Sequence, residues 1–281
     1  MTQNSTNLDK MRARLAELDN PDKNSGGKKT YAEDTTMWKL PTLEEGAKHV
    51  RLLPGTDGDP FRTIQIHYDL AKMQFRSLKD SGETDPVEQA AQDVWNEWRK
   101  AKDAGDTTEQ KRLVDTYIKK MKARPRHFAQ IVVRGEEEKG AKVWSHSDTQ
   151  NAEIVRKFMH ADYGDLADPK DGYDIIVTPK KSGKVMPNGK VLEVEYSLDF
   201  RAKSTPLAKT EQEREKILST RHDIDQVLSD KFYKSYDEVK DIVEAFLSAV
   251  EAGEDVKAHN DSPRVRKGES AEESVDNLIN S

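Results

Sequence analysis

The sequence predicts an α+β fold in which a small barrel of short β-strands carries helical insertions. Two observations support this prediction. Several short segments alternate apolar and polar residues and are separated by proline and glycine. Helical periodicity appears between these strand patterns, over residues 86–122, and again from about residue 209 onward. Strands with helices inserted between them, rather than in strict alternation, are typical of α+β proteins.

The N-terminal segment, residues 1–27, is expected to be a mobile arm. Apolar residues recur at helical spacing over residues 8–19, which predicts a short amphipathic helix. Residues 20–30 are turn and linker residues with nothing to bury. The folded core is therefore predicted to follow, over residues 28–255.

The first part of this core is predicted to be β-structure. Strand patterns begin at Met37 and continue through residues 47–54 and 61–70, where Ile64 and Ile66 share one face at a period of two. Further strand patterns follow later in the chain, at residues 127–134, 141–147, 173–179 and 190–200.

Helices are predicted in two regions of the core. Residues 86–122 have helical periodicity with a break at Ala104-Gly105-Asp106, and Trp95 and Trp98 on the apolar face are interpreted as packing residues. Further helices are predicted over residues 150–160, 210–228 and 236–251. The last residues, 253–281, are polar and cannot bury enough apolar area to offset their ordering entropy, so they are expected to be disordered.

Composition and motifs argue against most enzyme classes. The chain has no cysteine, which excludes disulfides, thiolate catalysis and Cys-ligated zinc. It also lacks a Walker loop and the GxGxxG, HExxH and GxSxG motifs, and its seven histidines are scattered singly. We therefore expect no enzymatic activity. The absence of a long apolar run and of a signal-peptide core predicts a cytoplasmic protein without a membrane span.

Charge is unevenly distributed along the chain, whose formal net charge is −6. The acidity belongs to the last quarter, whereas residues 117–134 hold six basic residues and no acidic one. This segment, called the basic stripe below, is either a solvated helix end or the positive track of a nucleic-acid-binding groove.

Binding to a single nucleic-acid strand needs cations for the phosphates and flat side chains on which bases stack. The basic stripe supplies cations interleaved with aromatic and histidine side chains: Tyr117, Lys119, Lys120, Lys122, Arg124, Arg126, His127 and Phe128. Other basic or histidine neighbours of aromatic residues are Phe75 with Arg76, Trp144 with His146, and Phe200 with Arg201. For each aromatic residue, packing in the core is the alternative to contact with the nucleic acid. For Phe128 the two alternatives have equal weight. Lys180, Lys181 and Lys184 either contact phosphate or are solvated.

The chain resembles the single-stranded DNA-binding, or helix-destabilising, proteins of T-even-type bacteriophages. The matching pieces follow the family's order and cover most of residues 35–205. They are MWKL (37–40), HVRLLP (49–54), HYDL (67–70), DPVEQ (85–89), KARPRHFAQIVV (122–133), GAKVWSHS (140–147), EIVRKF (153–158), YDIIVTP (173–179) and KVLEVEYS (190–197).

The resemblance implies an oligonucleotide-binding (OB-fold) barrel that holds single-stranded DNA in a basic, aromatic-lined cleft. Arg51 falls on a basic cleft position of the family, and Lys122 and Arg124 lie in its basic run. Tyr117, His127 and His146 fall where the family tends to have DNA-facing tyrosines. The two histidines depart from that pattern.

The resemblance also implies a structural zinc site, from which this chain departs. The segment DPVEQ corresponds to a Cys-Pro-Val-Cys-type segment, so Asp85 and Glu88 stand in place of thiolates, and His67 corresponds to a family histidine. Without soft ligands the zinc site is expected to be lost, and no cofactor is expected. The helical insertion with Trp95 and Trp98 is expected to replace the metal as the local core.

Both termini have implied roles. The family's N-terminal arm drives cooperative self-association, for which Lys10, Arg12 and Arg14 are the candidates here. Its acidic C-terminus competes with DNA and recruits replication and recombination proteins. In this chain that tail is residues 256–281, with the acidic candidates Glu269, Glu272, Glu273 and Asp276 beside Val275, Leu278 and Ile279.

The predicted function is therefore sequence-independent and cooperative binding of single-stranded DNA during phage DNA replication, recombination and repair, in the cytoplasm of an infected bacterial host. The expected partners are single-stranded DNA, neighbouring copies of the protein and phage replication and recombination proteins. Two alternatives remain open: an acidic protein-interaction scaffold whose basic stripe is only surface, and a metal-dependent nuclease.

Overall fold

The computed structural model describes residues 35–71, 74–185 and 191–253. The predictions for the N-terminal arm and the acidic tail lie outside the described residues. These predictions concern Lys10, Arg12, Arg14, Glu269, Glu272, Glu273 and Asp276.

Seven strands form one antiparallel sheet within the described residues. The strands are β1 (Lys48–Leu52), β2 (Phe61–His67), β3 (Phe75–Arg76), β4 (Arg124–Val133), β5 (Lys142–His146), β6 (Asp174–Lys181) and β7 (Val194–Phe200). The sheet order is β3-β2-β4-β1-β6-β7, and β5 pairs with the remaining edge of β4.

Strand β4 organises the sheet because it pairs with three other strands. Its first half pairs with β2, as in Phe61 opposite Ala129, and its end pairs with β1, as in Leu52 opposite Ile131. Strand β5 occupies the opposite edge of β4 over the same central residues. Every residue of β4 from His127 to Val133 is buried, because both faces of the strand are covered.

The two faces of the sheet contact separate apolar cores. Alternating side chains of β4, among them Ala129 and Ile131, face a core that Ile154 of a later helix helps to form. Phe128 points the other way and packs with Leu228 and its neighbours. The continuous apolar run in β4 is therefore explained by burial on both sides.

The α+β class is confirmed, but the described strands form an open sheet and not the expected closed barrel. The free edge of β5 is taken up by residues 36–38. The Trp38 N–H donates to the Val143 carbonyl at 2.8 Å, and the Val143 N–H donates to the Thr36 carbonyl at 2.8 Å. With that edge occupied, β7 has no strand to close against and pairs with β6 alone within the described chain.

The helices largely follow the predicted periodicity. They are α1 (Pro86–Asp103), α2 (Thr107–Leu113, extended by π-helical Val114–Ile118 and a last turn at Lys119–Met121), α3 (Asp148–Phe158), α4 (Glu211–Ser219), α5 (Ile224–Phe232) and α6 (Tyr236–Glu251). Short 3₁₀ turns lie at Leu78–Ser81 and Glu137–Lys139.

The single helix predicted over residues 210–228 is wrong, because two helices occupy this region. Helix α4 ends at Ser219, and Asp223 then caps a new helix by accepting a hydrogen bond from the Gln226 N–H at 3.1 Å. An aspartate at this position favours a new helix start because its side chain satisfies one of the free N–H groups of the first turn.

Helices α1, α2 and α6 pack together beside the sheet. Val87 of α1, Met121 at the end of α2 and Phe246 of α6 share one buried cluster. Trp98 is buried and Trp95 half-buried, with their rings edge-on at 5.4 Å, as expected of packing residues. None of the described helices is both long and apolar enough to cross a membrane.

Candidate nucleic-acid interface

The basic stripe lies where helix α2 gives way to strand β4. Lys119 and Lys120 belong to the last helical turn, and Lys122 already has an extended backbone conformation. Arg124 and Arg126 begin β4 and, being two residues apart on a strand, point to the same face of the sheet. The stripe therefore presents its cations along a helix end and the adjoining strand.

Strand pairing brings Arg76 to the same place. Ile66 of β2 lies opposite both Arg76 of β3 and Arg124 of β4, so the two arginines flank Ile66 on one sheet face. Arg126 lies opposite Ile64 and joins them. The structure thus gathers three arginines that are up to 50 positions apart in the sequence.

These arginines differ in how their charge is compensated. Arg124 forms an ion pair with Asp69 at 2.6 Å, and Arg76 lies 3.4 Å from Asp80. The Arg126 Nε instead donates to the Ser145 hydroxyl at 2.6 Å, and no described carboxylate forms an ion pair with it. Arg126 is therefore the one of the three without an ion pair to a described carboxylate.

Two other members of the stripe are partly engaged. Lys119 forms an exposed ion pair with Asp115 at 2.7 Å, an interaction that contributes little to stability and is easily exchanged for a phosphate contact. Tyr117 is half-buried, with its ring edge-on to Phe246 and the Arg112 guanidinium 5.7 Å from its centroid. The ring packs within the helical cluster, which leaves it only part of a face for stacking.

The structure corrects the expected DNA contact of Arg51. Its side chain is fully buried, and its Nη2 donates to the backbone carbonyls of Asp168 at 2.7 Å and Thr205 at 2.8 Å. Burial lowers the pKa of Arg51 to about 10, and the neighbouring Asp174 counteracts part of this shift. Arg51 therefore joins β1 to the segment before β6 and to the segment after β7. Its side chain has no exposed surface that a strand of DNA could contact.

The histidines expected to face DNA are also buried. The rings of His127 and His146 stack at 5.8 Å inside the sheet-and-helix core. His127 Nδ1 lies 2.8 Å from the Thr63 hydroxyl, and its Nε2 donates to Asp148 at 2.6 Å. Burial lowers the pKa of His146 to about 4, so that its imidazole is neutral near pH 7. Both side chains are thus internal polar links.

Two further aromatic candidates are core residues. Trp144 is fully buried with its ring edge-on to Trp38 at 5.6 Å, and Phe75 is 1% exposed. Phe128, for which core packing was the equal alternative, is completely buried. Their strands carry these rings to the interior because the alternating apolar face must cover the sheet.

The last predicted pair is Phe200 and Arg201, and its two members differ in exposure because β7 ends between them. Arg201 is exposed, with its Nη2 3.1 Å from His49 Nδ1. Phe200 is half-buried and lies in a group of rings that the sequence did not reveal. We call this group the Tyr163 cluster, and its members are Lys157, Tyr163, Tyr173 and Phe200.

Sequence reasoning missed most of the Tyr163 cluster because its members come from the end of α3, the segment between α3 and β6, and the end of β7. The only sequence signal was the neighbouring pair Phe200 and Arg201. Lys180 and Lys181, whose role was left open above, are exposed residues at the end of β6, and Lys184 forms an ion pair with Glu195.

The residues that match the family's zinc ligands do not fit a metal here. Asp85 Oδ1 accepts from the Val87 N–H at 2.9 Å, and Oδ2 accepts from the Ser77 hydroxyl at 2.6 Å and the Leu78 N–H at 3.0 Å. His67 Nε2 lies 3.7 Å from the same carboxylate, and Glu88 is turned outward. No group of three or more metal-binding side chains occurs within the residues described.

Electrostatics agree with a hydrogen-bonded Asp85. Burial by itself raises the pKa of the Asp85 carboxyl, but His67, Ser77 and the Val87 N–H outweigh it and lower the pKa to about 2. The carboxylate is therefore charged, and it both caps α1 through the Val87 N–H and accepts from Ser77 and Leu78.

The chain was compared with models of known protein families. The family model described as gp32 DNA binding protein like matches residues 44–247, which is more than half of the chain. No curated protein matches the chain.

Proposed function

The chain belongs to the gp32-like DNA-binding protein family, and on that premise we propose that it binds single-stranded DNA without reading its base sequence. The family match over residues 44–247 is the observation that carries this function. The gathering of cations at the start of β4 supports it, because a strand of nucleic acid is held largely through its phosphates.

The phosphates are bound by the basic stripe together with Arg76. Arg126 offers an uncompensated charge, and the exposed ion pair of Lys119 is readily replaced by a phosphate. Each phosphate that is neutralised in this way releases condensed counterions, which makes binding favourable at low salt and weaker as salt rises. Because phosphates are common to every sequence, this contact carries no base preference.

Destabilisation of duplex DNA follows from mass action. A protein that binds the separated strands and not the duplex shifts the equilibrium toward the separated strands, by an amount that grows with its free concentration. No catalytic step is needed, and we propose a binding protein and not an enzyme.

We further propose a division of labour along the chain. Residues 28–255 form the DNA-binding core, which we expect to be related to the OB-fold, and residues 1–27 mediate cooperative binding to the neighbouring copy through Lys10, Arg12 and Arg14. Residues 256–281 bind partner proteins through Glu269, Glu272, Glu273 and Asp276.

The proposed setting is phage DNA replication, recombination and repair in the cytoplasm of the infected host. A protein that coats exposed strands there protects them and presents them to replication and recombination proteins. Support for this setting is the resemblance to the T-even-type phage proteins over most of residues 35–205.

The test is a titration of labelled oligo-dT with the full-length protein at several salt concentrations, with duplex DNA of equal length as control. We expect tight binding to the single strand, weak binding to the duplex, and a slope in log[salt] of about −0.7 for each phosphate contact. Equal binding to both forms would favour the alternative of an acidic interaction scaffold. Metal-dependent cleavage of the DNA would instead favour a nuclease.

A further inference from the structure

Helices α1, α2 and α6 leave an open groove between them, with a volume of about 540 Å³. Its floor is apolar and includes the half-buried side chains of Val94, Tyr117 and Leu247, one from each helix. Along α1 the groove extends from Ala90 to Lys100, which is about 15 Å of helix. It is therefore long enough for about three turns of a docked helix.

The two cations on the rim of this groove are compensated within the chain. Lys100 forms an ion pair with Glu97 at 2.6 Å. Arg112 donates to both carboxylate oxygens of Glu109 at 2.7 Å. The rim therefore offers little positive charge to a ligand.

The remaining charge on the rim is negative. Asp93 and Glu251 are exposed carboxylates that line the groove, and neither forms an ion pair with a described residue. Helix α6 strengthens the negative field, because it carries five carboxylates and one lysine. These charges repel a phosphate backbone, so the groove is unsuited to hold DNA.

An apolar floor between acidic edges selects a ligand with the opposite pattern. A helix with an apolar stripe buries that stripe when it lies in a groove between other helices. Lysine or arginine residues on either side of the stripe would then meet the rim carboxylates. The chemistry of the groove thus fits a basic amphipathic helix.

The terminal segments of the chain itself do not supply the required excess of positive charge. Residues 8–19 contain three basic and three acidic residues. Residues 269–281 contain four carboxylates and no lysine or arginine. A ligand with the matching charge must therefore come from another protein.

We propose that the groove between α1, α2 and α6 is a docking site for a basic amphipathic helix of a partner protein. Tyr117, on the floor of the groove, is also the first residue of the basic stripe, so the docked helix lies beside the start of the stripe. Because the two surfaces carry opposite charge, they select different ligands. The docking site does not depend on the proposed function.

The test uses a labelled peptide of about 14 residues that has leucines on one helical face and lysines on both sides of that face. A second peptide has the same composition in scrambled order and forms no apolar face. Binding to the full-length protein is measured by fluorescence anisotropy. The ordered peptide should bind at least about tenfold more tightly, because only its leucines can be buried together on the floor.

Charge reversal on the rim has a matched control elsewhere on the surface. The double variant Asp93→Lys with Glu251→Lys should weaken binding of the ordered peptide about tenfold. Glu138→Lys with Glu215→Lys makes the same change of net charge at two exposed positions outside the groove and should have little effect. Neither double variant should change binding to oligo-dT more than the other.

The floor is tested by Leu247→Gln, which should weaken binding of the ordered peptide severalfold. Leu218→Gln is the control, because Leu218 is also half-buried but packs in a different cluster, on α4. Thermal unfolding of each variant checks that the fold is kept.

Several results would overturn the docking site. Equal binding of the ordered and scrambled peptides, or equal effects of the two double variants, would show that the attraction is unspecific. Displacement of the peptide by oligo-dT would place it on the DNA-binding surface. Higher peptide affinity after deletion of residues 1–27 would show that the groove is occupied by the chain's own N-terminal segment. Failure of the protein to bind oligo-dT would contradict the proposed function alone.

Discussion

At the scale of single residues, the partner of a basic side chain decides what it can contribute. Arg124 and Arg126 look equivalent in the sequence, yet one is held by Asp69 and the other by a neutral hydroxyl. A charge already compensated within the protein must give up its carboxylate before it gains a phosphate, and the net gain is correspondingly smaller. The count of cations in the basic stripe therefore overstates the charge available for DNA.

Arg126→Gln should weaken binding to oligo-dT severalfold and make the salt dependence shallower by about 0.7, the value for one phosphate contact on a single strand. Glutamine retains a donor for the Ser145 hydroxyl, so the fold is expected to persist. The measurement is the oligo-dT titration over a range of salt concentrations. Lys216→Gln, at an exposed position on α4, serves as the matched loss of charge, and an equal effect of both changes would remove Arg126 from the interface.

His146 provides a residue-scale prediction about pH. Its folded-state pKa of about 4 lies below the ordinary value of 6.5, because burial disfavours the imidazolium. The unfolded chain therefore binds more protons between these two pKa values, and the stability of the fold falls as the pH drops from 6.5 to 4. The size of this contribution is on the order of 3 kcal/mol.

Replacing His146 with glutamine should make the free energy of unfolding less dependent on pH in this window. Urea unfolding at several pH values measures the effect. His160→Gln is the matched replacement of an exposed imidazole. Identical pH profiles for wild type and His146→Gln would contradict the assigned neutral, buried imidazole.

At the scale of elements, the start of α1 shows how hydrogen bonds can take the place of ligand bonds. Asp85 caps the helix through Val87 and also binds Ser77 and Leu78 of the preceding turn, so one carboxylate joins two segments. The Trp95 and Trp98 pair then extends the packing of the same helical layer. The hydrogen bonds of Asp85 and the packing of the two tryptophans thus stabilise the start of α1 and the helical layer around it.

Asp85→Ala should lower the free energy of unfolding by about 3 kcal/mol, since it removes an N-cap and leaves buried donors without a partner. Asp106→Ala is the matched comparison, because Asp106 caps α2 at an exposed site through a single bond to the Glu109 N–H. That change should cost about 1 kcal/mol. Urea unfolding measures both, and equal costs would show that the buried network adds nothing beyond capping.

Removal of metal ions should leave this region intact. The oxygens of Asp85 are already occupied by N–H and O–H donors, and a metal would have to displace them. We therefore expect the same unfolding midpoint with and without a chelator, and the same midpoint after addition of zinc. A lower unfolding midpoint in the presence of a chelator would indicate that the protein does bind a stabilising metal ion.

At the scale of the whole molecule, the sheet arranges two kinds of surface. Strand β4 is buried on both faces and fixes the positions of β1, β2 and β5 around it. The basic stripe runs from the end of α2 along this strand, while the Tyr163 cluster comes from the end of α3, the segment between α3 and β6, and the end of β7.

The acidic C-terminal tail provides the whole-molecule prediction. If residues 256–281 compete with DNA for the cations of the core, their deletion should raise the affinity for oligo-dT at low salt severalfold, and the difference should shrink as salt screens it. The titration of the truncated protein beside the full-length chain measures this. An unchanged affinity would assign the tail to partner proteins alone.

The sequence by itself determined the α+β class, most strand and helix positions and the family, because these depend on periodicity, turn residues and the order of local motifs. It also located the basic stripe, since clustered charge is visible without a structure. The helix start at Asp223 has a recognisable capping residue. The continuous helical periodicity around it nevertheless led to the prediction of a single helix over residues 210–228.

Only the tertiary structure decided which of the candidate side chains are buried. Several side chains were plausible contacts by residue type and by their sequence neighbours, yet they are buried and engaged in internal contacts. They are Arg51, His127, His146, Trp144 and Phe75. Conversely, the Tyr163 cluster unites residues from segments far apart in the chain. Periodicity reports which face of an element is apolar, but which faces meet, and so which rings and charges stay open to solvent, depends on long-range packing.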